Sequence, residues 1–83
     1  MTINVRFFAI LKDRAGTAED SLELPEGATV ATAAEQLAMK FPALRDPLRR
    51  VAYAVNREYV TPQMELHNGD ELALIPPVSG GFE

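Results

Sequence analysis

Alternation of apolar and polar positions opens the chain. In TINVRFFAI the β-branched and aromatic residues predict a strand over residues 2–10. Ile3, Val5, Phe7 and Ala9 share one face of it, and Asn4, Arg6, Phe8 and Ile10 the other. The first set is assigned to the core because the second carries Asn4 and Arg6. Residues 11–20, LKDRAGTAED, are polar and contain Gly16, so they read as a loop. SLEL at 21–24 restores a short strand, with Leu22 and Leu24 on one side and a turn at Pro25-Glu26-Gly27.

From Val30 the period changes to that of a helix. Val30, Ala33, Ala34, Leu37 and Phe41 fall on one stripe, and Thr29 is placed to cap the first turn, so residues 30–41 are predicted helical. Pro42 ends the helix by disfavouring helical geometry at Phe41 and removing a backbone donor. ALRDPLRR is a connector with a short helical turn after Asp46-Pro47, where Leu44 and Leu48 cap the core. VAYAVN gives a third strand, Asn56-Arg57 a tight turn, and EYV a short fourth strand. Pro62 breaks that pairing, and QMELHNGD reads as a helical turn running into an Asn68-Gly69 turn. ELALIPP is the last strand, with Leu72 and Leu74 on one face and Ala73 and Ile75 on the other.

One amphipathic helix among five strands must cover one face of a single sheet. Setting the first and last strands side by side in the middle, parallel, meets that condition. The expected fold is α+β: a ubiquitin-like β-grasp, with a mixed five-stranded sheet and one main helix packed on one face. The outer face then carries Phe8, Ile10, Ala52, Ala54, Ala73 and Ile75 from three strands. Apolar residues gathered into one exposed patch point to a protein-binding surface.

Composition narrows the chemistry. The 83 residues are one domain's length, and 47% hydrophobic residues are enough to build a core where about 60–65% of the unfolded surface is buried. The absence of cysteine excludes disulfides, thiolate metal sites and cysteine nucleophiles. A net charge of −4 argues against nucleic acid as main partner. With no apolar run of membrane-spanning length and no signal-peptide pattern, a cytoplasmic protein is expected. Arg45, Arg49, Arg50 and Arg57 form a local basic cluster within thirteen residues, balanced by Asp46 and Glu58. It reads first as a solvated face, and as one able to orient a charged partner. The single histidine, His67, sits in a polar turn and reads as a surface residue, while Asp70 and Glu71 are adjacent on a strand, so their side chains diverge. Nothing in the pattern makes the chain an enzyme on its own, and no metal or cofactor is expected on it.

The end of the sequence is PPVSGGFE. Pro76 and Pro77 cannot donate to a ladder, so the sheet must stop there and the chain leave extended. Gly80 and Gly81 lack Cβ atoms and can pass through a channel too narrow for other residues. The expected organisation is therefore a β-grasp domain over 1–77 and a flexible tail over 78–83, suited to insertion into another protein's active site.

VRFFAIL near the start, AVN at 54–56 and NGDELALIPPVSGG at 68–81, with the β-grasp order between them, resemble the small subunits of molybdopterin synthase, a family of sulfur carriers. The resemblance spans essentially the whole chain. It implies that an activating enzyme of the ubiquitin-activating type adenylates the Gly81 carboxylate with ATP, and that a sulfur donor converts it to a thiocarboxylate. The tail then enters the large synthase subunit, within a heterotetramer, and sulfur passes to cyclic pyranopterin monophosphate in molybdenum-cofactor synthesis. Gly81 and Gly80 are thus the reactive end, while Phe8, Ile75, Pro76, Pro77, Val78 and Ser79 fall where family members meet their partners. ATP is used by the activating enzyme and no cofactor by this chain. Members of the family finish at the second glycine, whereas Phe82 and Glu83 follow it here. An amide at Gly81 cannot be adenylated as a carboxylate, so the resemblance implies trimming after Gly81, as by a JAMM-type metalloprotease in related carriers. A carrier for thiamine or cysteine synthesis, and a ubiquitin-like modifier ending in an isopeptide bond, share the same activation chemistry and remain alternatives.

Overall fold

The computed structural model describes residues 1–77. Five strands form one sheet: β1 (Thr2–Phe7), β2 (Glu19–Glu23), β3 (Ala52–Val55), β4 (Glu58–Val60) and β5 (Glu71–Ile75), in the spatial order β2-β1-β5-β3-β4. β1 and β5 are parallel and central, and the other pairings are antiparallel. This is the β-grasp arrangement that the element order predicts.

Helix α2 (Val30–Lys40) lies across one face. The Thr29 side chain accepts a hydrogen bond from the Thr32 amide, and the Thr32 hydroxyl oxygen accepts one from the Thr29 amide. Val30, Ala33 and Leu37 are buried, against Ile3, Val5 and Phe7 of β1 and Leu72 and Leu74 of β5 within one core. Phe41 closes the helix with its ring edge-on to Phe7, 5.6 Å between centroids and 78° between planes. Two 3-10 turns follow, Pro42–Leu44 and Pro47–Arg50, and sink Leu44 and Leu48 into the core as the leucine spacing suggests.

Three expectations are corrected. β1 ends at Phe7 rather than at residue 10, because the backbone reverses at Ala9, with φ 52°. Ala9 is therefore exposed instead of core-facing. The expected 11–20 loop instead contains a helix, α1 (Ile10–Ala15), closed by Gly16 in the left-handed conformation, whose amide donates to the Lys12 carbonyl. Six residues of which only Leu11 is buried give too little periodicity to be read from sequence. The helical turn expected in residues 63–70 is absent. After a tight turn at Pro62-Gln63 that stretch passes the start of α2, bridging Thr29 at Glu65, and the Val30 and Ala31 amides donate to the Met64 and Pro62 carbonyls. Free amides at a helix start need acceptors, and here a distant segment supplies them.

The turn between β3 and β4 holds Asn56 and Arg57 at φ 51° and 72°. Asn56 also ties this turn to the head of β5: its side chain accepts from the Glu71 amide and donates to the Asp70 carboxylate, each at 3.0 Å. Replacing Asn56 with Ala should lower stability by about 1–3 kcal/mol, losing two hydrogen bonds and straining a positive φ. Asn56→Gly should cost less, since glycine relieves the backbone. Arg57→Gly should gain about 1 kcal/mol. Urea midpoints of the three variants check the order.

Candidate functional site

β1, β5 and β3 lie side by side, so their outward residues form cross-strand rows. One row runs Arg6, Ala73, Ala54, and on to Tyr59 of β4. The next pairs Ile75 with Ala52 and, one step past the Phe7–Leu74 pair, brings Phe8 alongside. Phe8 is 41% exposed, Ile75 and Ala73 are partly buried, and Ala52 is exposed. Ala54 also belongs to this face, yet it is only 5% exposed, a single methyl hardly rising above the sheet. The patch inferred from alternation therefore exists, but it is edged by charge. The Arg6 guanidinium sits 5.7 Å from the Phe8 ring centroid and 3.4 Å from the Glu71 carboxylate.

Ile10 does not join that face, which corrects the sequence reading. The reversal at Ala9 carries it onto α1, where it is 47% exposed and lines a groove with Arg14, Asp46, Arg50, Pro76 and Pro77. The groove has a volume of ≈ 210 Å³ and lies where the chain leaves the sheet. No sequence signal joins Arg14 to Arg50, because they are brought together only by the packing of α1 and the second 3-10 turn around the end of β5. The basic cluster is divided in the process. Arg50 precedes β3 at the Ile75 end, whereas Arg57 follows β3 at the Glu71 end. Of the expected site residues, Phe8, Ile75, Pro76 and Pro77 thus stand at one end of the sheet. Val78, Ser79, Gly80 and Gly81 lie outside the described residues, as do Phe82 and Glu83.

The titratable groups are arranged structurally. Burial pushes the Tyr53 phenol above its ordinary value, so it stays neutral in the physiological range. His67 is exposed, with Nδ1 3.9 Å from Asp70, whose carboxylate accepts from the His67 amide at 2.8 Å and from Asn56. Asp70 and Glu71 do part, one toward this turn and one toward Arg6. Among the described residues no group of three His, Asp or Glu side chains could hold a metal ion, and no helix is long and apolar enough to cross a membrane.

Comparison with known proteins bears on the same surfaces. The ThiS family matches residues 5–81, from β1 to the second glycine of the tail. A Chlamydomonas reinhardtii protein named molybdopterin synthase sulfur carrier subunit is 41% identical over 83 residues, covering 98% of this chain and 100% of its own. The crystal structure of SAMP1 from Haloferax volcanii superposes with a TM-score of 0.90 at 30% identity, covering 98% of this chain and 100% of that one. The Amycolatopsis orientalis BexX/CysO complex contains a chain similar at a TM-score of 0.74 and 28% identity, over 95% of this chain and 99% of that one. With the family's match running from the first central strand to the diglycine, and a relative this similar along its whole length, the chain belongs to the ThiS family.

Proposed function

We propose that this chain is the sulfur-carrying small subunit of a molybdopterin synthase. The observation that carries the reading is the extent of the family match: it stops at Gly81, the residue whose carboxylate would be activated, and leaves Phe82 and Glu83 beyond it. The name borne by the Chlamydomonas relative, at 41% identity, supports molybdopterin as the destination of the sulfur.

In this reading the carboxylate of Gly81, once exposed, attacks the α-phosphate of ATP on a ubiquitin-activating-type enzyme and expels pyrophosphate. A sulfur donor then displaces AMP to leave a thiocarboxylate. The chain contributes no acid, base or metal to these steps. Its body docks through Phe8, Ile75 and the prolines, while Gly80 and Gly81 slide into a cavity of the large subunit because no side chain obstructs them. Sulfur transfer to cyclic pyranopterin monophosphate follows, and the dependence on ATP is met in the cytoplasm. The amide between Gly81 and Phe82 has no free carboxylate, so a peptidase of the JAMM type is required first. This end of the sheet supports docking, since exposed Phe8 and half-buried Ile75 stand beside Pro76 where the chain departs.

The likeness to SAMP1, the small archaeal modifier protein 1 of Haloferax volcanii, favours a second reading, in which Gly81 ends in an isopeptide bond to a lysine. The similarity to the BexX/CysO chain favours a third, sulfur delivery to another pathway. The chemistry of activation is common to all three, so the acceptor must be identified directly.

Deleting the gene should abolish molybdoenzyme activity in the host. A chain ending at Gly81 should restore it, and one with Gly80 and Gly81 both replaced by Leu should not, although its fold is unchanged by far-UV circular dichroism. Restoration by the leucine variant, or lysine-linked conjugates without any loss of molybdoenzyme activity, would overturn the reading. Protein recovered from its native cells should have the intact mass of a chain ending at Gly81, with a fraction heavier by the exchange of oxygen for sulfur. Full-length chains throughout, with sulfur transfer still working, exclude trimming. Finally, Phe8→Asp or Ile75→Asp should weaken binding to the large subunit by about tenfold or more while the domain stays folded. Unfolding by either change would contradict the placement of both side chains outside the core.

A further inference from the structure

The groove beside the chain's exit shares Pro76 and Pro77 with the docking face of Phe8 and Ile75, and adds Ile10, Arg14, Asp46 and Arg50 to it. Its volume of ≈ 210 Å³ is below the range of about 300–1,000 Å³ usual for small-molecule sites, and suits one or two side chains of another protein. Its lining is apolar at Ile10, Pro47, Pro76 and Pro77 and charged at Arg14, Asp46 and Arg50. Arg50 lies 3.9 Å from Asp46, with both side chains about two-thirds exposed, so the pair is held weakly and leaves the guanidinium able to pair elsewhere. Arg14 makes no ion pair among the described residues.

The charge around the groove opposes that of the chain. α1 carries Lys12 and Arg14 against Asp13, and residues 42–50 carry Arg45, Arg49 and Arg50 against Asp46. Those two segments therefore sum to +3 in a chain of −4, which leaves −7 for everything else. Within the groove itself Arg14 and Arg50 outnumber Asp46, so a positive site stands at the base of the tail on an otherwise acidic protein, at the end that approaches whatever receives the tail.

We propose that the groove recognises acid: Arg14 and Arg50 receive carboxylate side chains on the rim of the cavity in the large subunit, and so orient the carrier's body as its tail enters. This rests on the sulfur-carrier reading above. Two arginines beside the apolar Ile10 and prolines suit carboxylate side chains presented by a protein surface. Charges at the rim of an interface act chiefly on the association rate and are screened by salt.

The test measures association of the chain ending at Gly81 with the large subunit from the same organism, at low and high salt. In about 20 mM NaCl the double variant Arg14→Glu, Arg50→Glu should associate about tenfold or more slowly than the parent, and in about 0.5 M NaCl the gap should largely close. Asp46→Asn removes the competing carboxylate and should raise the low-salt rate by about twofold, a gain that misfolding cannot produce. Arg57→Glu, the same charge change at the other end of the sheet, should stay within about twofold of the parent. The proposal is overturned if the double variant keeps the parent's rate, if Arg57→Glu loses as much, or if the loss is equal at both salt concentrations. A parent chain that does not bind the large subunit at all overturns the sulfur-carrier reading and this proposal together. Binding that ignores Arg14 and Arg50 overturns only the second.

Discussion

The parallel pairing of β1 with β5 is the constraint from which the rest follows. Val5 stands beside Leu72 and Phe7 beside Leu74, in strands from opposite ends of the sequence. All four side chains are buried against α2, so the centre of the core is incomplete until the last strand arrives. Closing so long a loop is entropically costly before any contact repays it. The return is a chain whose final strand is gripped on both edges, by β1 and by β3. Whatever follows Ile75 is thus joined at its root to a strand hydrogen-bonded on both edges.

That anchoring separates two tasks within the protein. The buried face of the sheet, with Leu37, Leu44 and Leu66 packed in the same cluster, supplies stability. The opposite face is freed from that duty and can afford to present Phe8 to solvent. The turn at Asn56 and the segment past Pro62 serve the first task from a distance. Asn56 holds the head of β5 by two side-chain hydrogen bonds, and the Pro62 and Met64 carbonyls complete the first turn of α2. Irregular stretches therefore finish the hydrogen bonding of the regular ones, which is why short loops suffice.

The second task falls to the end of the sheet where Ile75 gives way to Pro76. Proline there removes the donor that a continuing ladder needs, so β5 stops at Ile75. Around it the structure gathers an apolar patch on one side and a basic groove on the other, made by segments far apart in sequence. Membership of the ThiS family gives this end its meaning, because the matched region continues through Gly81.

The sequence by itself determined the elements whose signal is repeated along a period: the alternation of Ile3, Val5 and Phe7, the stripe of Val30, Ala33 and Leu37, the Thr29 cap, and the strand of Leu72 and Leu74. These fix their own buried face, and their order leaves few compact arrangements, so the β-grasp was legible before any coordinate. Tertiary structure alone decided what depends on a single residue or a distant acceptor. α1 exists because the chain reverses at Ala9 and drops Leu11 into the core, which six residues cannot announce. The stretch before Asn68 is held against the start of α2, whose amides take its carbonyls, instead of forming a helical turn. Ile10 left the patch and Arg14 met Arg50 for the same reason: side-chain period reports which way a residue faces along its own element, and says nothing of which elements will meet.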